Sequence, residues 1–97
     1  PLTIDDIKES VCKHFNVTTA AVSSRSRKRE LVVARQVSMY LAQKYTKMPA
    51  GRIGQLIGNR DHSTVIHSCN AIEERLKVDK AFSAELSSIE NSFKLKK

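Results

Sequence analysis

The stretch Gly58-Asn59-Arg60-Asp61-His62-Ser63-Thr64-Val65-Ile66-His67 decides the fold, because it combines a chain reversal with the start of a helix. Gly58 and Asn59 both tolerate a positive φ, so they can end one helix and redirect the backbone. Asp61 or Ser63 can then accept hydrogen bonds from the free N–H groups of the next helix. Apolar residues follow at helical spacing, namely Val65, Cys69, Ile72 and Leu76. The stretch therefore predicts a helix-turn-helix over about residues 50–77.

The segments on both sides of this turn predict an all-α domain, a compact bundle of about six helices. All three glycines fall between residues 51 and 58, and the two prolines stand at positions 1 and 49. Gly51 and Gly54 weaken their helix by roughly 1 kcal/mol each and permit close approach of another helix or a phosphate. The 97 residues are long enough for one domain. A start at Pro1 instead of Met is expected for a C-terminal fragment of a larger protein.

Net charge is concentrated in the middle of the chain. Residues 22–60 carry nine cations against Glu30 alone, whereas residues 1–21 and 61–97 are close to neutral. The densest part is the basic run Arg25-Ser26-Arg27-Lys28-Arg29, which belongs either to a loop or to the start of the third helix. Arg35 and Gln36 lie outside the apolar stripe of the third helix, and Tyr45 belongs to that stripe. A positive field focused in this way favours a polyanionic partner.

Enzymatic and metal chemistry are not expected. Asp61, His62 and Ser63 are the residue types of a hydrolase triad, but consecutive helical positions point about 100° apart and cannot form the required chain. His62 and Cys69 lie about 10 Å apart along a helix, too far to share a zinc ion. No phosphate-binding glycine motif is present, so no nucleotide cofactor is expected. Cys12 and Cys69 are read as buried free thiols, although the sequence does not exclude a disulfide.

DNA recognition explains the same polar residues better than an enzymatic or metal site does. A helix that enters the major groove by its N-terminal end needs short polar side chains there. Ser63, Thr64, His67 and Asn70 fall opposite the buried stripe of this helix. His62 falls nearer the buried side, so both a base contact and a packed histidine stay open. Arginines of the basic run can enter a minor groove, and the other cations can neutralise phosphates.

At the level of whole motifs, the chain resembles the C-terminal DNA-binding domain of the DnaA family of bacterial chromosomal replication initiators. The resemblance rests on residues 58–69, on the basic run 25–29, on residues 33–41 and on Ile53-Gly54. It implies binding of double-stranded DNA at DnaA boxes of the replication origin, short asymmetric sites similar to TTATCCACA. It also implies initiation regulators as partners, a bacterial cytoplasmic location, and ATP with Mg²⁺ only in an AAA+ module outside this fragment. The domain alone is expected to be a monomer, and the full protein to oligomerise on DNA.

The resemblance also assigns roles to individual residues. It implies that residues at the start of the recognition helix contact bases in the major groove, and that Arg27 contacts a base in the minor groove. Backbone contacts fall to a wider set of positions. The base-contacting residues are Asp61, His62, Ser63, Thr64 and Arg27, and the backbone-contacting residues are Arg25, Arg29, Arg35, Gln36, Ala50, Gly51 and His67.

Two positions depart from the family pattern. Asn59 replaces the second of two glycines, and it can adopt the same left-handed conformation. Asn70 and Ala71 stand where basic residues are common, so phosphate contacts from that part of the helix are in doubt. Three other functions stay open: a module whose basic face docks an acidic protein, a non-specific nucleic-acid binder, and a structured-RNA binder. The five aromatic residues, mostly on core stripes, disfavour RNA.

Overall fold

The computed structural model describes residues 2–95, and these form six helices without a strand. The predicted all-α class and helix number are confirmed. The third helix begins only at Arg29, so the basic run lies mainly in the loop that precedes it. We call residues 23–28 the basic loop. The helices are α1 (Ile4–Phe15), α2 (Thr19–Val22), α3 (Arg29–Tyr45), α4 (Ala50–Leu56), α5 (His62–Val78) and α6 (Lys80–Leu95).

Local sequence signals account for the first two helices. Thr3 and Asp6 form a capping box, in which each side chain accepts from the other residue's backbone N–H. Asn16 ends α1 in the left-handed conformation with φ 56°. The Thr18 hydroxyl accepts from the Ala21 N–H at 3.0 Å and so caps α2. These bonds join residues at most four apart, so they depend on the local sequence alone.

Helix α3 is the centre of the domain, and it packs against α1, α2, α4 and α5. Helix α6 closes the opposite side by packing against α1 and α5. Tyr45, expected on the core stripe of α3, is instead 37% exposed at the rim. Its hydroxyl donates to Glu90, and its ring meets Phe93 edge-on. The fully buried side chains of the core include Ile7, Val11, Val37, Leu41, Ile53, Ile57 and Val65.

Both cysteines are buried and free, as expected. Desolvation raises the pKa of the Cys69 thiol to about 11, and nearby Glu73 adds to this effect. Desolvation also raises the pKa of Cys12. The thiols therefore act as small apolar groups of the core.

Candidate nucleic-acid interface

The turn between α4 and α5 is built by two left-handed residues and one close backbone contact. Gly58 has φ 84° and Asn59 has φ 54°, so Asn59 adopts the conformation expected for the second position of the turn. The Arg60 N–H then donates to the Gly54 carbonyl oxygen at 2.8 Å. A Cβ atom at Gly54 would lie 2.1 Å from the Arg60 carbonyl oxygen. Glycine at position 54 is therefore what lets the turn fold back onto α4.

Helix α5 starts at the end of this turn with a set of exposed polar side chains, which we call the reading tip (residues 61–64). Asp61 is the N-cap, because its carboxylate accepts the Thr64 N–H at 2.9 Å. That backbone hydrogen bond is the main reason why the pKa of Asp61 is lowered. His62 is exposed, which disfavours the packed histidine, and its base contact stays a prediction. Ser63 and Thr64 are exposed as well.

The basic loop presents its cations to solvent and is held by short serine-mediated bonds. Arg25 and Arg27 are exposed. The Ser26 N–H donates to the Ser24 hydroxyl at 3.2 Å, and the Lys28 N–H donates to the Ser26 hydroxyl at 3.3 Å. These two local bonds shape the loop, but they do not tie it to the remainder of the domain.

Arg35 lies off the apolar stripe as expected, yet it is 8% exposed and points into the protein. Its Nε donates to the Val22 carbonyl oxygen at 2.8 Å. Its Nη2 donates to the carbonyl oxygens of Ser24 and Ser26 at 3.0 and 3.1 Å. Desolvation, with a further effect of Arg60, lowers the pKa of Arg35. These bonds use Nε and Nη2 and leave Nη1. The phosphate contact predicted for Arg35 therefore stays a prediction, and Nη1 is the nitrogen that could make it.

Arg60 is a functional candidate that sequence reasoning missed. Its Nη2 donates to the Ser24 carbonyl oxygen at 3.0 Å, across 36 positions of the chain. The same oxygen accepts from Arg35, so the two guanidinium groups meet at one carbonyl. Its position next to the cap residue was the available signal, but the partner on the basic loop could not be read from spacing.

These contacts bring the basic loop and the turn together around one groove of about 660 Å³. Four arginines line it and no acidic residue does, which makes the groove strongly electropositive. Its lining residues are Ser23, Arg25, Ser26, Arg27, Arg35, Gln55, Leu56, Gly58, Asn59 and Arg60.

The remaining predicted backbone contacts are distributed around this region. Arg29 and His67 are exposed on α3 and α5, respectively, and Gln36 is half-buried on α3. Ala50 and Gly51 are partly exposed in the first turn of α4, where free N–H groups are available to an anion. A Cβ at Gly51 would meet no atom within 4 Å, in contrast to Gly54. None of these positions is closed to a ligand by burial.

Other kinds of site find no support in the part of the chain that the structure describes. No group of three or more His, Cys, Asp or Glu side chains is arranged there to hold a metal ion. Within residues 2–95, no helix has the length and apolar character that a membrane crossing requires.

Comparison with known proteins identifies the helix-turn-helix. Residues 4–72 match the family model described as the bacterial dnaA protein helix-turn-helix. The chromosomal replication initiator protein DnaA of Bacteroides thetaiotaomicron is 50% identical over 95 residues, which are 98% of this chain and 20% of that protein. The protein of the same name from Lachnoclostridium phytofermentans is 43% identical over 81 residues, 84% of this chain and 18% of that protein.

The chain thus spans about a fifth of the length of the curated relatives it matches. The matched part is a non-catalytic domain, as the geometry of Asp61, His62 and Ser63 predicted. The chain belongs to the bacterial DnaA helix-turn-helix family.

Proposed function

We propose that this domain binds double-stranded DNA at DnaA boxes of a bacterial replication origin, and that it reads both grooves. The reading tip of α5 enters the major groove, and Arg27 of the basic loop enters the adjacent minor groove. The observation that supports this proposal is the contact between the basic loop and the turn before the reading tip. The Arg60–Ser24 hydrogen bond joins the basic loop to the turn that leads into the reading tip.

The exposed side chains of the reading tip have the chemistry that base recognition needs. Ser63 and Thr64 carry hydroxyl groups that donate and accept, and the His62 ring can do either, depending on its tautomer. Asp61 caps α5, and its carboxylate, which the Thr64 side chain also bonds, can accept from a cytosine amino group.

The cations around the groove supply affinity without sequence information. Arg25 and Arg29 are exposed and can neutralise phosphates, and the backbone N–H groups of the partly exposed Ala50 and Gly51 can donate to phosphate oxygens. Gln36 and His67 are the further backbone contacts, and Arg35 offers only Nη1. Each neutralised phosphate releases counterions, so binding weakens as salt rises.

Titration of a box-containing and a scrambled duplex at several salt concentrations tests the proposal. We expect a steep salt dependence on both duplexes and a preference for the box of about 4 kcal/mol or more. Equal affinity for the two duplexes would refute sequence-specific reading. Binding to an acidic protein surface in the absence of any duplex binding would favour the competing protein-interaction hypothesis.

Substitution of His62 by alanine separates base reading from backbone contact. His62→Ala should lower the preference for the box by roughly 1–3 kcal/mol, since a good base contact is worth that much discrimination. Arg25→Ala should instead weaken binding to both duplexes alike and reduce the salt slope by about 1. The matched controls are His14→Ala and Lys80→Ala, an exposed histidine on α1 and an exposed lysine on α6. Loss of box preference in a control would contradict the assigned roles.

The role in the longer protein follows from family membership as a proposal. The domain would bring a replication initiator to the origin in the bacterial cytoplasm. Oligomerisation on DNA, binding of ATP with Mg²⁺ and contacts to initiation regulators would then belong partly or wholly to segments outside this chain.

A further inference from the structure

We propose that Arg35 and Arg60 are a positioning pair that fixes the basic loop relative to the reading tip, so that the two groove contacts form as one unit. The inference rests on the proposed DNA-binding function. It assigns a role to Arg60 and gives Arg35 a task inside the protein.

The first step is the geometry at the Ser24 carbonyl oxygen. This oxygen accepts from Arg35 Nη2 and from Arg60 Nη2, each at 3.0 Å. A carbonyl oxygen has two lone pairs, so both are used. Arg35 extends from α3, and Arg60 extends from the turn before α5. One atom of the basic loop is therefore anchored to two different elements of the domain.

The second step is the reach of the Arg35 guanidinium. It donates to the carbonyl oxygen of Val22, the last residue of α2, and to those of Ser24 and Ser26 in the basic loop. The planar fork of an arginine suits several fixed acceptors, whereas a lysine ammonium is a compact point charge. The Ser26 carbonyl belongs to the residue immediately before Arg27. The pair thus fixes the backbone from which the predicted minor-groove side chain extends.

The third step is charge. Within residues 2–95, no ion pair involves Arg35 or Arg60. Neutral carbonyl oxygens hold the two cations, so the fastening removes no positive charge from the groove. A carboxylate in the same place would fasten the loop equally well, but it would repel the DNA backbone.

A loop held in place has a thermodynamic consequence for binding. A mobile loop must be ordered when it enters a groove, and that ordering opposes binding. If the loop is already fixed to the turn, its contact with the minor groove forms without this ordering cost once the reading tip is bound. Loss of the pair should therefore reduce the contribution of Arg27 and leave that of the reading tip unchanged.

The test uses Arg60→Lys, which keeps the charge, with Arg52→Lys as the matched control. Arg52 is an exposed arginine of α4 whose guanidinium bonds only the Gln55 side chain among the described residues. A base-pair substitution scan of the box with the unmodified protein, Arg27→Ala and His62→Ala first defines loop-dependent and tip-dependent positions. For Arg60→Lys we expect a roughly five- to tenfold loss of discrimination at loop-dependent positions only. Arg52→Lys should change neither set.

Coupling is measured by adding the Arg27→Ala substitution to Arg60→Lys. If the pair acts through Arg27, the double variant should bind the box within about twofold of Arg27→Ala alone. If the losses of affinity caused by the two substitutions multiply in the double variant, the proposal is overturned. Equal loss of discrimination at both sets of positions would also overturn it, because a merely structural role predicts that result.

A measurement without DNA keeps the test independent of the proposed function. Amide hydrogen exchange at Ser26 and Lys28 should accelerate in Arg60→Lys, while the thermal midpoint stays close to that of the unmodified domain. Arg35→Lys should accelerate the same amides further. Unchanged exchange in both variants would overturn the positioning role. If exchange accelerates but the unmodified domain shows no box preference, the proposed function fails and the fastening of the loop stands.

Discussion

Replacement of Gly54 by alanine should destabilise the domain, although alanine is the better helix former. The new Cβ would lie 2.1 Å from the Arg60 carbonyl oxygen and 3.2 Å from that of Asp61. Both are backbone atoms, so no side-chain rotation relieves the clash. Overpacking typically costs 1–3 kcal/mol, and a backbone neighbour justifies the upper end, about 3 kcal/mol. Alanine regains about 1 kcal/mol of helix propensity, so we expect a net loss of about 2 kcal/mol.

Gly51→Ala is the matched control for this substitution. It lies in the same short helix, and a Cβ there would meet no atom within 4 Å. Alanine should therefore stabilise the domain by up to about 1 kcal/mol. Thermal unfolding followed by circular dichroism should show a midpoint lowered by about 8–16 °C for Gly54→Ala and raised by several degrees for Gly51→Ala. An unchanged or raised midpoint for Gly54→Ala would refute the close packing of the turn on α4.

Two further predictions concern titratable groups. The pKa values of Asp61 and Asp79 are lowered in the folded domain, mainly because each carboxylate accepts a backbone N–H at the start of a helix. Their stabilising contribution is complete above the unfolded carboxylate pKa of about 3.9 and is lost as the pH falls through the lower folded value. Urea midpoints should thus fall less between pH 7 and pH 3 in Asp61→Asn and Asp79→Asn, and an equal fall would contradict this linkage. Because burial raises the pKa of Cys69 to about 11, it and Cys12 should react with a thiol reagent at pH 8 only on unfolding, and rapid reaction of the folded domain would contradict their burial.

The helices and the turn could be predicted from the sequence because their signals are local. The caps at Thr3, Thr18 and Asp61 each involve a residue three positions away. The turn at Gly58 and Asn59 follows from the left-handed preferences of those two residues. Such signals depend on neighbours in the chain, so they hold whatever the tertiary packing.

The residues whose surroundings the sequence did not predict depend on tertiary contacts. Periodicity locates apolar faces, and it gave no reason to bury Arg35, whose partners lie 9 to 13 positions earlier. The partner of Gly54 is the backbone of its own turn, whereas the sequence suggested a helix or a phosphate. In each case the spatial neighbour, and not the residue type, decides the outcome.

Helix α6 lies beyond the region that matches the family model, but it is part of the folded domain. The matched region ends at residue 72, whereas Phe82, Leu86, Ile89 and Phe93 of α6 are all buried against the core. Burial of such side chains stabilises by about 1.5–3 kcal/mol each, so the four together contribute roughly 6–12 kcal/mol. A helix beyond the matched region thus stabilises the core on which the reading tip is built.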